Sequence, residues 1–237
     1  MKLPISIIIP TLNEEAYLPR LLESIKNQTQ QPAEIIVSDS NSSDNTRQIA
    51  QSFGCKIGTG GNHPGMARNN GAKIATRDIF LFLDADVILS PKFLEHTINE
   101  MQTRNLDITT CFINPLSDNK IDHWAANFNN FYNKITEKIY PHAMGFCIFA
   151  RSVVHKDIHG FDETIRIMED TDYIQRAIKR KYTFGYLLSE KVNVSFRRLD
   201  EEGKIHSFLK YMYIELHGLL LGPIRSKKLA YEFGKHS

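Results

Sequence analysis

Two acidic stations and an arginine are spaced along the chain where chemistry could be done. The first station is Asp84-Ala85-Asp86, which closes the apolar run Phe80-Leu81-Phe82-Leu83. With one residue between them, the two carboxylates project to the same side of an extended segment and can converge on one hard cation. A divalent ion held there would neutralise a diphosphate. The second station is Met168-Glu169-Asp170-Thr171-Asp172, at the head of a helical pattern. Asp170 shares its phase with Tyr173, Ile174, Ala177 and Ile178, whereas Asp172 falls with Arg176, Lys179 and Arg180, so Asp170 is expected to point inward. An inward carboxylate needs a metal, a partner or a task. Asp39 ends another apolar run, and Arg68 sits near the start of a helical stretch, against the helix dipole unless an anion or acceptor is close. Each signal is weak alone. Asp-x-Asp is commonly a polar turn, acids at a helix start commonly serve only the dipole, and an arginine is commonly just ion-paired.

The elements that must position these groups follow the spacing of apolar residues. Ile5 to Ile9, Glu34 to Asp39 and Phe80 to Val87 read as buried strands, the first broken by Pro10-Thr11-Leu12-Asn13. Between them come helical patterns. Asn13 is placed to cap a helix with Glu14 and Glu15 in its first turn and Leu18, Leu21, Leu22 and Ile25 on its inner face, which Pro19 would bend or delay. The turn Ser40 to Asp44 leads to a helix through Arg47, Ile49, Ala50 and Phe53, closed by Gly54. Strand and helix alternating in units of about thirty residues predict right-handed crossovers and a parallel sheet, whose ligands collect outside the carboxyl ends of the strands.

Gly58 to Gly65 reads as a glycine-rich loop that matches neither a dinucleotide fingerprint nor a phosphate loop with Lys-Ser/Thr. Further on, Ser90 and Pro91 predict the start of a helix through Phe93, Leu94, Ile98 and Met101, and residues 107–113 and 145–151 predict strands. The stripe Trp124, Phe128, Phe131, Tyr132, Ile135 and Ile139 is expected to be core, with a role in an acceptor pocket left open. The final helical pattern carries Phe208, Leu209, Met212, Leu216, Leu219 and Leu220 between Arg197, Arg198 and Lys204 on one side and Arg225, Lys227 and Lys228 on the other. Packing on its own domain is the usual outcome, and a membrane-surface role stays open.

Composition sets the frame. The chain has 237 residues, 42% hydrophobic and 24% charged, with a formal net charge of +2, so nothing points to nucleic acid. Cys55, Cys111 and Cys147 are scattered, without metal-ligand spacing, and suit a reducing cytosol. The first residues pass directly into an apolar strand with Glu14 and Glu15 behind it, so neither signal nor transit peptide is expected, and no apolar run is long enough to span a bilayer.

Taken together, Ile-Ile-Pro-Thr-Leu-Asn-Glu-Glu, Val-Ser-Asp-Ser-Asn-Ser-Ser-Asp-Asn-Thr, Pro-Gly-Met-Ala-Arg-Asn-Asn-Gly-Ala, Phe-Leu-Asp-Ala-Asp and Met-Glu-Asp-Thr-Asp, in this order, resemble glycosyltransferase family 2 over about residues 5 to 200. The resemblance implies a GT-A fold, a mostly parallel Rossmann-like α/β sheet flanked by helices. It also implies transfer of a sugar, with inversion, from a nucleotide-diphosphate donor. Under it, Pro10, Thr11, Asn13 and Glu14 line the nucleotide pocket, Asp39 binds base or ribose, and Arg68 contacts base or phosphates. Asp84 reaches ribose and metal, Asp86 ligates Mg²⁺ or Mn²⁺, and Asp170 of the Glu169-Asp170 pair is the general base. Arg197 and Arg198 open a run similar to Arg-Arg-Phe-Glu-Lys-Glu-Gly, from which Leu199 and Asp200 depart conservatively, and are candidates for a lid. The long multi-span tail of many polyprenyl-phosphate transferases is not seen.

The expected division is a transferase domain over 1–203, with its nucleotide part about 1–115 and acceptor part about 116–203, then a helical tail over 204–237. The expected acceptor is a glycan or a lipid-linked molecule. The expected place is the cytoplasm, with peripheral contact of 204–228 on the inner membrane face. A binding protein without turnover would lack the inward carboxylate, yet Asp170 is present. A nucleotidyltransferase would carry a G-x-G-x-R-type loop after the first strand, where this chain has Pro10-Thr11-Leu12-Asn13.

Overall fold

The computed structural model describes residues 2–196 and 203–226. The expected lid residues Arg197 and Arg198 lie outside the described residues, as do Lys227 and Lys228.

A sheet of eight strands runs in the order β3-β2-β1-β4-β7-β6-β8-β5. The strands are β1 Leu3–Thr11, β2 Pro32–Asp39, β3 Lys56–Thr59, β4 Ile79–Leu83, β5 Val87–Ile88, β6 Ile108–Pro115, β7 Cys147–Arg151 and β8 Phe184–Val194. The helices are α1 Leu18–Lys26, α2 Thr46–Ser52, α3 Pro64–Ile74, α4 Phe93–Thr103, α5 Lys120–Thr136, α6 Ser152–Asp157, α7 Glu169–Lys179 and α8 Lys204–Leu221. The half built from β1 to β4 is parallel, as the alternation predicts. β7 enters antiparallel between β4 and β6, and β5 antiparallel on β8, so the sheet as a whole is mixed. Chain order reverses between β1 and β4, and the crevice beyond their carboxyl ends is where such sheets take ligands.

Both faces of the sheet are buried, and strand alternation sorts the side chains between them. Ile5, Ile7, Ile9, Leu81 and Leu83 join Leu18, Leu21, Phe93 and Leu94 on one face. Ile8, Phe80 and Phe82 join Val154, Phe161, Tyr173 and Ile174 on the other. Asp84 continues the parity of Phe80 and Phe82, toward the face that carries α3 and α7.

Several expectations are corrected. β1 does not break at Pro10 but runs to Thr11. Its pairing with β4 ends at Ile8, so a residue lacking an N–H interrupts no ladder on that side. Asn13 caps no helix: it is left-handed at φ 54°, and α1 is delayed to Leu18, placing Pro19 in the first turn where its missing N–H is harmless. Gly58 belongs to β3 rather than to a loop, and α4 begins at Phe93, with the Ser90 carbonyl accepting from the Phe93 N–H at 3.0 Å. The largest correction is α5. Ile121, Trp124, Phe128, Phe131 and Ile135 face solvent, all more than half exposed, instead of forming core.

Candidate active site

The loops beyond β1 and β2 clasp one another. The Asn13 N–H donates to Ser42 Oγ at 2.9 Å, and Asn13 Oδ1 accepts from the Ser43 N–H at 2.8 Å. The Glu14 N–H donates to Thr46 Oγ1 at 2.8 Å, while Glu15 accepts from the Asn45 N–H at 2.9 Å. Asp39 is buried under this clasp: it accepts from Thr11 Oγ1 at 3.2 Å and Ser42 Oγ at 2.5 Å, with Arg47 Nη1 at 3.5 Å. Pro10, Thr11, Asn13, Glu14 and Asp39 therefore form one assembly at the sheet's carboxyl edge, held by polar side chains that favour turns over strands.

Arg68 gathers the remaining groups. Only 2% exposed, it projects from α3, and its guanidinium donates to Asp84 Oδ1 at 2.8 Å, Glu169 Oε1 at 2.9 Å and the Gly145 carbonyl at 3.0 Å. Its carbon centre lies 5.4 Å from the centroid of the Phe161 ring, within cation–π range. α3 can press this close to the sheet because Gly71 meets β1 without a side chain; a Cβ there would lie 2.5 Å from Ile8 Cγ2. The forked, permanently charged guanidinium is suited to bridging two carboxylates from distant elements. It thereby brings the end of β4 and the head of α7 together.

Asp170 stands beside this bridge. A Cβ built on Gly145 would lie 3.3 Å from Asp170 Oδ2 and 2.7 Å from Arg68 Nη2, so a bare backbone is what lets the two groups meet there. Asp170 Oδ1 accepts from the Thr171 N–H at 2.7 Å. Burial pushes its carboxyl up to about 8, the neighbouring Glu169 and Asp84 push the same way, and Arg68 and the Thr171 N–H only partly offset them. A carboxylate so raised is basic enough to take a proton near neutrality.

Asp84 and Asp86 both stand half-buried just past β4. Among the described residues no group of three acidic, histidine or cysteine side chains could hold a metal by itself. Two half-buried carboxylates one residue apart nonetheless fit Mg²⁺ or Mn²⁺, which commonly take one or two protein carboxylates and complete their shell with substrate phosphates and water.

The structure thus unites Asp84, Arg68, Glu169 and Asp170, and separately unites the β1 and β2 loops. Trp124 is not in either group: it is 67% exposed and stacks on Phe128 with ring centroids 5.7 Å apart. The sequence reading missed Gly145 and Phe161. Neither carries a local signal, since one reads as the start of a strand and the other as an ordinary turn aromatic.

A model for glycosyl transferase family 2 matches residues 6–160. An uncharacterised glycosyltransferase of Rickettsia typhi is 31% identical over 181 residues, covering 71% of this chain and 56% of that protein. Such curated relatives are longer than the matched stretch, which takes in between 23% and 56% of their length. Among solved structures, Staphylococcus aureus TarS 1–349 in complex with UDP superposes with a TM-score of 0.65 at 19% identity, over 93% of this chain and 73% of that one. The mannosyltransferase PcManGT from Pyrobaculum calidifontis, in complex with GDP-Man and Mn²⁺, superposes with a TM-score of 0.67 at 15% identity, over 90% and 65%. These similarities show that the fold is of the GT-A type.

Proposed function

The chain belongs to glycosyltransferase family 2, and from that premise we propose that it transfers a sugar, with inversion, from a nucleotide-diphosphate donor to an acceptor hydroxyl. The observation that carries this reading is the Arg68 bridge, which draws the Asp-x-Asp end of β4 and the Asp170 head of α7 together. One relative is named as a glucosyltransferase acting on an undecaprenol-linked glycan. The acceptor is of that kind, in synthesis of the cell envelope.

The chain's own residues divide the work. Pro10, Thr11, Asn13 and Glu14 line the nucleotide site with Asp39 beneath them, within the part of the domain over about 1–115. Asp39 is sealed by Ser42, so the loop over 40–45 must shift for its carboxylate to meet a base or ribose. Arg68 sets the position of Asp84 and faces the donor. A divalent cation held by Asp84 and Asp86 would neutralise the charge that develops on the leaving diphosphate. Asp170 takes the proton of the acceptor hydroxyl as its oxygen attacks the anomeric carbon from the face opposite the diphosphate, and that geometry inverts the centre. Glu169 holds Arg68 rather than substrate. Trp124 belongs to the acceptor part, over about 116–203, and the lid role expected of Arg197 and Arg198 falls outside the described residues.

No described helix is long and apolar enough to cross a membrane. The enzyme would work in the cytoplasm, with α8 against the inner membrane face. The test is a panel of nucleotide sugars with Mn²⁺, scored first by thermal shift and then by release of nucleoside diphosphate. One donor should stabilise the protein by about 2.7 kcal/mol at a hundred times its dissociation constant. Failure of every donor to bind, with the protein folded and Mn²⁺ present, would overturn the proposal.

A further inference from the structure

Two helices present apolar side chains that nothing in the described residues covers. On α5, Ile121, Trp124, Phe128, Phe131 and Ile135 recur three and four residues apart along one face. On α8, Leu209, Met212, Leu216, Leu219 and Leu220 do the same, while Ile214 turns inward onto Met168 and Ile224. α8 packs on the segment that follows α5. A Cβ on Gly218 of α8 would lie 3.1 Å from the hydroxyl of Tyr140, just past the end of α5, and within contact of Met168. Both helices also lie close to the candidate active site. Met168 stands two residues before Asp170, and Asn129 of α5 donates to Met144 Sδ at 3.4 Å, next to Gly145.

Charge distinguishes what this surface fits. Lys120, Lys134 and Lys138, all exposed, flank the apolar face of α5 on one side. The acids of the same region are turned away: Asp122 is buried and accepts from Ser117 Oγ at 2.5 Å, and Glu137 accepts from the Tyr186 N–H at 3.2 Å. Glu215 of α8 is half-buried and faces Tyr132 and Tyr140, whose hydroxyls its charge pushes up after burial. Asp118, in the turn before α5, remains exposed. Large apolar and aromatic side chains bordered by lysine are the composition of a helix lying in a lipid interface, apolar face among acyl chains and lysines among anionic headgroups.

We propose that α5, together with α8, seats this protein on an anionic lipid bilayer, with the cleft beside Asp170 opening at headgroup level. Resting on the transfer reading above, the same geometry assigns the acceptor to the class of hydroxyls carried on a lipid. Docking and transfer fail separately, because docking is measured without turnover.

The experiment uses the full chain and its single tryptophan, Trp124, as reporter. The fluorescence of Trp124 should shift to the blue and become shielded from an aqueous quencher when phosphatidylglycerol is present in phosphatidylcholine vesicles. It should remain unchanged with phosphatidylcholine alone, and the complex should weaken as salt is raised. Lys134→Gln with Lys138→Gln should weaken partition roughly 25-fold, about fivefold for each basic residue near an anionic surface. Phe128→Asp with Ile135→Asp should abolish it while the melting temperature holds, since both side chains already lie in solvent. No response to anionic vesicles overturns the proposal, as does a response that survives both variants. A stable dimer lost in Phe128→Asp would show that a second copy occupies the face. Trp124 shielded in the lipid-free monomer would show that the chain covers it with its own residues. Either result also overturns the proposal.

Discussion

Replacing Asp170 by Asn separates the chemistry of the cleft from its stability and moves the two in opposite directions. If Asp170 removes the acceptor proton, D170N should cut turnover by about 10²–10⁴-fold while donor affinity stays within a few-fold, since general-base assistance is worth that much and Asn keeps the shape. Stability should rise. The native carboxyl, raised to about 8, keeps its proton at pH values where the unfolded chain, near 3.8, has lost it. Across roughly pH 5 to 7 the folded state therefore binds close to one more proton than the unfolded state, and wild-type stability falls as pH rises. The slope approaches the one-proton limit, for a total of at most about 3 kcal/mol over that window for a side chain partly open to water. Asn cannot titrate, so the variant should gain on wild type by up to about 5–10 °C in Tm between those pH values for a chain of this length. Melts with chelator present, at the two ends of the window, measure it. Added divalent cation should shrink the difference, because positive charge beside Asp84 lowers the Asp170 pKa. Equal loss of donor affinity and turnover would refute the general-base assignment, and a pH-independent difference in Tm would refute the buried, protonated carboxyl.

Asp86→Asn should abolish the extra stabilisation that Mn²⁺ adds to donor binding, a part of the about 2.7 kcal/mol that donor gives at a hundred times its dissociation constant, while the melt without ligand stays put; retention of the Mn²⁺ increment would remove Asp86 from the metal site. Arg68→Met strands Asp84 and Glu169 beside a buried apolar side chain and should cost about 3–5 kcal/mol in urea unfolding, a loss under about 1 kcal/mol being incompatible with the bridge described. Glu34 tests the sheet away from the cleft. Burial raises its pKa, but hydrogen bonds from Lys56, Ser6 and Thr76 outweigh that and hold it at about 2 against an ordinary 4.5. Its contribution of about 3 kcal/mol is therefore present above pH 4.5 and disappears as pH falls through 2. Glu34→Gln should be destabilised near neutrality and converge on wild type in acid, and a constant gap would mean that packing, not charge, is lost.

What the sequence disclosed about the site was whatever depended on local phase. Asp84 and Asp86 fall on one side of an extended segment as any strand requires, and Asp170 lies in register with Tyr173, Ile174 and Ala177 as any helix requires, so the convergence of the first pair and the inward direction of Asp170 are both legible locally. The bridge between them was invisible, because Arg68 and Glu169 are 101 residues apart and nothing local ties one to the other. Gly145 was equally silent, since its value is an absence of atoms that matters only once α3 and α7 are in place. α5 failed for another reason. Periodicity reports that a helix has an apolar face but not what covers it, and a face turned to lipid has the same period as one turned to core.

The charge pattern in the cleft then supplies an argument that neither geometry nor family membership gives alone. Asp84, Glu169 and Asp170 crowd a single guanidinium, so the ligand-free site carries more acid than base and takes up a proton on Asp170. A nucleotide diphosphate entering such a site would meet net repulsion. Positive charge near Asp84 would offset that repulsion and, by the same field, return Asp170 to its ionised form. The base would thus be armed by the charge that admits the donor, and a cleft holding no donor would keep Asp170 protonated and idle toward water.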